Sequence, residues 1–352
     1  MKSARKPRSG GAAGGLSFAR IRRVDSHEVY KVYRDWPGLA KRGFAAKFSF
    51  PEAAFKSACV LGMGGSAAGG DIIAGWVKLR NGFDFSVFKG SLPRKDLKGT
   101  LAIACSASGQ TAETIEMMKT AAHQNATVVS ISSGGRLKEE AVRLGLEHER
   151  MPDIVAPRYM LPYIVFSCLS AINRGFGLGC EQEAAESIDA LGRLAPSLDV
   201  ETPLGRNAAM KFAFEIVKKT PAILGDGVTQ GVGLRFKNAL NENAKTHAYF
   251  DSMPDVFHNE IQAWEGGDKA FLPVFLRHSA EPVTDGVRAD AMSRILRSLG
   301  NKVVEVRGDG TGVLSQLMTM VYHLDMASYF TAMALGRDPL PTNLIDRLKK
   351  SK

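Results

Sequence analysis

Leu61-Gly62-Met63-Gly64-Gly65-Ser66-Ala67-Ala68-Gly69-Gly70-Asp71 joins an apolar run at 58–61 to a stretch of helical period at 67–78. The run reads as a strand and the period as a helix, so the glycines between them form a strand-to-helix turn. Such a turn brings backbone close to a ligand and ends on the unpaired amides and positive dipole end of a helix, which suits an anion. Taken literally, Gly62-x-Gly64-x-x-Ala67 also fits the dinucleotide fingerprint, which wants an acid about 20 residues on, closing the second strand. Here that strand, at 85–88, ends in Val87-Phe88-Lys89, and the only acid nearby, Asp84, precedes it. Gly64, Gly65 and Ser66 are therefore read as candidate phosphate ligands ahead of a dinucleotide site, with a simple tight turn left open.

Outward from this turn, short apolar runs alternate with helical stretches. Strands are predicted at 58–61, 85–88, 101–104, 127–131 and 146–150, and helices at 67–78, 111–123, 137–144 and 159–172. This is the pattern of a doubly wound parallel sheet. The second half repeats it more loosely, with strands at 222–224, 271–276 and 303–306 and helices at 234–244 and 289–299. A long core helix begins at Val313, where Val313, Leu317, Val321, Leu324 and Ala327 share one face. Leu224-Gly225-Asp226-Gly227 echoes Leu61-Gly62-Met63-Gly64 at a distance of 163 residues. The fold class expected is α/β, with two doubly wound parallel-sheet domains and flanking helices. The divisions expected are a disordered basic tail at 1–23, a first domain at 24–195, and a second at 196–352 that includes a terminal helix.

The formal charge of +10 invites a nucleic-acid reading, but its location does not. Residues 1–23 hold seven Lys/Arg and residues 347–352 hold four, with no acid in either segment. Without those eleven, 35 basic residues face 36 acidic ones, so the body is neutral and no nucleic-acid partner is required. The glycines of the first 15 residues argue against an amphipathic targeting helix, and no apolar segment follows the early charges as in a secretory leader. No run reaches the roughly 20 apolar residues of a membrane span, so no membrane partner is expected. Cys59, Cys105, Cys168 and Cys180 are widely spaced, which fits buried thiols in a reducing cytoplasm. The seven histidines form no ligand pair, so neither a metal nor a cofactor is expected.

A second turn carries different chemistry. Cys105-Ser106-Ala107-Ser108-Gly109-Gln110-Thr111-Ala112-Glu113-Thr114 packs the hydroxyls Ser106, Ser108 and Thr111 into six residues at a strand-to-helix junction. One hydroxyl would be a helix cap. Three, beside a second glycine turn, suit a phosphate dianion held without Lys or Arg.

The two turns together resemble sugar isomerase (SIS) domains, and more narrowly the bifunctional phosphoglucose/phosphomannose isomerase family. Ser132-Ser133-Gly134-Gly135-Arg136-Leu137, Pro157-Arg158-Tyr159-Met160-Leu161-Pro162, Asn241-Glu242-Asn243-Ala244-Lys245 and His258-Asn259-Glu260-Ile261 match further blocks in order. The stretch from Asp338 to Lys349 matches the last block, so the resemblance runs from about residue 20 to the end. Ala107 and Gln110 depart from the Tyr and Asn common in the serine turn, Ala67-Ala68 stands where a Gly usually intervenes, and the basic tail has no counterpart.

The resemblance implies isomerisation of glucose 6-phosphate, and of mannose 6-phosphate, to fructose 6-phosphate through an enediolate. It implies Glu242 as the proton-transferring base, His258 as the ring-opening group and Arg158 as the cation beside the enediolate. Lys349 is implied as an active-site lysine, and Thr342 as the residue tied to use of both aldoses. It further implies a homodimer whose sites are shared through His258. Taken alone, Glu242 and Arg158 would be ordinary solvated charges, His258 a surface cap and Thr342 the N-cap of the last helix. A glucose-6-phosphate-only isomerase and a non-catalytic phosphosugar sensor are the alternatives; a sensor needs the serine turn but not Glu242, His258 and Arg158.

Overall fold

The computed structural model describes residues 16–351 apart from 51–54, 81, 94–95 and 154. Five strands, β1 (Ser57–Gly62), β2 (Asp84–Phe88), β3 (Thr100–Cys105), β4 (Thr127–Ser132) and β5 (Glu147–Arg150), form a parallel sheet in the order β2-β1-β3-β4-β5. Its central strands β1 and β3 are buried along nearly their whole length. Strands covered on both faces by helices read as continuous apolar runs, which is why they were legible. Four more, β6 (Thr220–Gly225), β7 (Tyr249–Ser252), β8 (Phe271–Arg277) and β9 (Val304–Arg307), form a second parallel sheet in the order β7-β6-β8-β9. The expected α/β architecture of two parallel sheets is what the chain adopts. Strand β7 was not predicted. It is a sheet edge of four residues, Tyr-Phe-Asp-Ser, the first exposed and the rest half-buried, with no apolar run to announce it.

In each sheet the chain leaves the first-formed strand in one direction and later returns to its other side. The crevice at such a reversal, outside the carboxyl ends of the strands, is where doubly wound sheets bind ligands. In the first sheet the reversal lies between β1 and β3, whose ends are in register at Gly62 and Cys105. The glycine turn and the serine turn therefore stand side by side.

The tail expected at 1–23 needs correction. Residues 1–15 lie outside the described residues, but Phe18–Val24 is a helix capped by the Ser17 hydroxyl, with Ile21 fully buried. Helices Tyr30–Arg34 and Trp36–Phe44 follow it. Their aromatic rings pack on the long helix Val313–Leu335, with Trp36 and Tyr322 centroids 5.4 Å apart. The Tyr329 hydroxyl donates to the buried Asp25 carboxylate at 2.7 Å. Apolar contacts thus order a segment that its charge made look solvated.

The division expected at 195–196 falls at the turn Ala195–Leu198. One apolar core nevertheless runs through both halves, from Trp36 and Ile164 to Leu317 and Phe330. The helices Gly64–Val77 and Gln230–Ala239 meet at backbone distance: a Cβ on Gly231 would lie 2.5 Å from the Asp71 carbonyl. Only glycine permits that approach, and it locks the glycine-turn helix of one sheet onto the other half. Among the described residues no helix is long and apolar enough to cross a membrane, and all four cysteines are buried.

Candidate active site

The glycine turn and serine turn are joined by hydrogen bonds. The Ser66 hydroxyl, at the start of helix Gly64–Val77, accepts from the Ala107 amide at 3.2 Å. Ser106 donates to the Thr111 hydroxyl at 3.0 Å. Thr111 occupies the N-cap of helix Ala112–His123, yet its side chain makes no cap bond. The ordinary structural use of that hydroxyl is therefore not taken up, and it faces the buried Ser106 instead. Ser108 is exposed and accepts from the Gln110 amide at 3.2 Å. Gly109 has φ +65°, and a Cβ there would lie 1.8 Å from the Gly134 carbonyl. The serine turn is thus pressed against the Ser133-Gly134-Gly135 turn after β4, a third loop at the same sheet end. At the end of β2 stands Lys89, paired with Asp71 at 2.7 Å, while Asp84 begins that strand. The acid that a ribose would need is at the wrong end.

Arg158 reaches this crevice from the turn Pro157–Met160, where a Cβ on Gly65 would touch its Cα at 3.3 Å. Its side chain is only 7% exposed, and two of its three nitrogens are committed. Nε donates to Asn243 Oδ1 at 3.0 Å, and Nη2 donates to the carbonyls of Pro339 and Leu340 at 2.5 and 2.7 Å. Nη1 stands 3.7 Å from the Glu242 carboxylate. Glu242 lies in Leu240–Ala244, a π-helical turn that ends the Gln230–Ala239 helix. Such turns widen a helix by one residue and are frequent at functional sites.

Behind Arg158 is a buried polar network. Asn243 accepts from Arg158 and from the Tyr159 hydroxyl, and donates to Tyr33 and Ser328. Arg235 donates to the Arg158 carbonyl at 3.0 Å and forms a two-point ion pair with Asp325 at 3.0 and 2.5 Å. Both side chains of that pair are almost completely buried. Removing one charge from such a pair strands the other, at a cost of roughly 3–5 kcal/mol. Asp325→Asn should lower unfolding stability by about that much in urea titration, with the denaturant slope unchanged.

Sequence reasoning assigned no role to Asn243, Tyr159 or Lys245, although all three lie in the quoted blocks. Nothing local marks a helical Asn as a clamp for an arginine 85 positions away. Lys245, with φ +51°, ends the π turn and donates to the Asn243 and Asp338 carbonyls at 3.2 and 2.5 Å. Desolvation, reinforced by the Arg158 charge, brings its ammonium down to about 8.

Other expected residues are not gathered in. His258 is exposed, in the turn after Asp255–Phe257, and among the described residues no hydrogen bond or ion pair joins it to Arg158 or Glu242. Thr342 follows closely on the Leu340 carbonyl bound by Arg158 and sits at the N-cap of helix Asn343–Lys350 without making a cap bond. Lys349 is exposed on that helix.

The echo in the second sheet has a different outcome. Asp226, at the β6 reversal, accepts from the Val228 and Thr229 amides and pairs with His278 at 2.7 Å. Burial works against its charge, but the bonds from His278 and Thr229 hold the carboxyl below its usual range. The chain's own carboxylate fills the anion position there.

Residues 205–351 match the family model described as bacterial phospho-glucose isomerase C-terminal SIS domain. A curated relative from Aquifex aeolicus, named bifunctional phosphoglucose/phosphomannose isomerase, is 28% identical over 332 residues, 92% of this chain and 98% of its own. Another of that name, from Caldicellulosiruptor bescii, is 28% identical over 82% of this chain and 87% of its own. The crystal structure of a glucose-6-phosphate isomerase like protein from Thermus thermophilus shares the fold, with a TM-score of 0.63 at 20% identity over 96% of this chain and 99% of its own. The resemblance seen in the sequence blocks thus extends over most of the chain.

Proposed function

From its homology to bifunctional phosphoglucose/phosphomannose isomerases we propose that this chain interconverts glucose 6-phosphate and mannose 6-phosphate with fructose 6-phosphate. The observation that carries this reading is the Arg158–Glu242 pair, one guanidinium nitrogen facing a carboxylate at 3.7 Å beside the two phosphate turns. A phosphosugar sensor would have no use for a base and a cation so arranged.

The phosphate sits between the turns, on Ser66, Ser106, Ser108, Thr111 and the amides of Gly64 and Gly65. Aldose and ketose differ by a proton moved between C2 and C1. Glu242 removes the C2 proton from the aldose and returns it to C1, while a proton passes between the neighbouring oxygens. Negative charge grows on those oxygens in the enediolate. Arg158 Nη1 is the guanidinium nitrogen left to meet it, pre-aimed because the others are tied down. His258 opens the sugar ring from the neighbouring copy of a homodimer, and Lys349 adds positive charge from the terminal helix.

A coupled assay with each of the three sugar phosphates tests the proposal. Turnover of glucose 6-phosphate alone would leave the glucose-specific reading; turnover of none would leave the sensor. Losing one hydrogen bond to a charged group costs about 1.5–3 kcal/mol. Ser108→Ala should accordingly raise KM roughly tenfold or more, and an unchanged KM would take the serine turn out of the site.

The two aldoses differ only at C2 and give the same enediolate, so one base serves both if the C1–C2 unit can rotate. A small residue beside it leaves room. Thr342 is placed by homology and by its closeness to the Arg158-bound carbonyls, and its hydroxyl is not spent on a cap. Thr342→Gln should depress mannose 6-phosphate turnover more than glucose 6-phosphate turnover, whereas equal losses would deny it that role.

A further inference from the structure

The helix Asn343–Lys350 carries an apolar stripe that nothing among the described residues covers: Leu344, Ile345 and Leu348 are 76%, 42% and 71% exposed. Eight residues are too few for a helix to hold itself together in water, since isolated helices shorter than about 12–15 residues are marginal. Its polar side carries Arg347 and Lys349 against one acid, Asp346. Elsewhere on the molecule lies a half-open cavity of about 490 Å³, walled by Leu224, Phe250, Trp264 and Phe271. Three carboxylates, Asp251, Glu260 and Asp268, also line it. An apolar cavity bearing acids and an apolar helix bearing bases are complementary in both respects.

We propose that the terminal helix of one chain docks in the Leu224–Trp264–Phe271 cavity of a second copy of the same chain. The stripe enters the cavity and the basic side chains meet its carboxylates. Continuity along the chain supports a second copy as the occupant. The helix leaves its own body just after Pro339 and Leu340, whose carbonyls bind Arg158. The cavity wall of the other copy includes Glu260, two residues after His258. Docking therefore carries each His258 towards the partner's Arg158, and each Lys349 towards the partner's His258 segment. This rests on the shared-site isomerase reading for its meaning, but its test is physical association.

Leu344→Asp/Leu348→Asp alters only exposed side chains, so the fold survives. Sedimentation should show a native dimer at micromolar concentration. The double variant should raise its dissociation constant at least about tenfold, since one buried leucine contributes about a decade. An unchanged constant, or a monomeric native chain, overturns the proposal. The position is read by mixing Leu348→Cys protein with Ala263→Cys protein and adding a bis-maleimide; the four native cysteines are buried and silent. A product of two chain masses that forms only in the mixture supports the exchange. A cross-link confined within single chains of the Leu348→Cys/Ala263→Cys double variant means the helix folds onto its own cavity, and the proposal fails. Native activity is assayed separately: an active monomer sinks the docking and spares the isomerase, while an inactive dimer that dissociates on mutation does the reverse.

Discussion

Glu242→Gln is expected to lower kcat by about 10²–10⁴-fold, the usual worth of a positioned general base, while KM for glucose 6-phosphate changes little. The substitution keeps the shape of the side chain and its place on the π turn, 26% exposed and facing Arg158. It removes only the ability to take up a proton. The turns proposed to hold the phosphate are separate from it in the chain and belong to the first sheet, so binding should survive. Solvent exchange supplies a second reading. Wild-type enzyme in deuterated water should place deuterium at C2 of the recovered aldose, and the variant should not. Turnover within a factor of a few of the native enzyme would remove Glu242 as the proton carrier and move attention to Lys245, whose ammonium is held at about 8 beside it.

Arg158→Lys should cost about 10²–10³-fold in kcat, the scale for losing a preorganised donor at a developing oxyanion. The charge is kept, so long-range attraction for the sugar phosphate persists and KM should move much less. What is lost is the fork. Nε and Nη2 of Arg158 brace the group against Asn243, Pro339 and Leu340, leaving Nη1 aimed at the cleft. One ammonium cannot satisfy those acceptors and also point outward, so arginine and lysine are not interchangeable here. Losing the Arg158 bonds to Asn243 and to the Pro339 and Leu340 carbonyls should also lower stability by about 1–3 kcal/mol. Arg158→Ala separates the two effects, because added guanidinium should restore part of the turnover if the cation acts on the substrate. Lack of rescue, with stability lowered to the same extent, would make Arg158 a structural brace.

The amino-acid sequence by itself determined the alternation of elements and the chemistry of the turns. Strands β1, β3 and β4 are covered by helices on both faces, so each had to be a continuous apolar run. The turns proposed to hold the phosphate, Gly64 to Ser66 and Ser106 to Thr111, carry small and hydroxylated residues within a few positions of a strand-to-helix junction. These are local requirements, and local patterns record them. Only the tertiary structure decided which distant groups meet. Arg158 owes its orientation to Asn243 and to the Pro339 and Leu340 carbonyls, 85 to 182 positions away, and its backbone to the buried Arg235–Asp325 pair. The helix Phe18–Val24, whose charge placed most of it in an expected disordered tail, is ordered by the burial of Ile21 and by the Phe18 ring packing on Tyr30. The turn at Asp226 echoes the glycine turn in sequence, yet His278 and two amides close on its own carboxylate. The physical reason is common to all three. Periodicity and turn chemistry are properties of neighbours along the chain, whereas the partner of a buried charge or ring is chosen by how the elements pack, and that choice leaves no local trace.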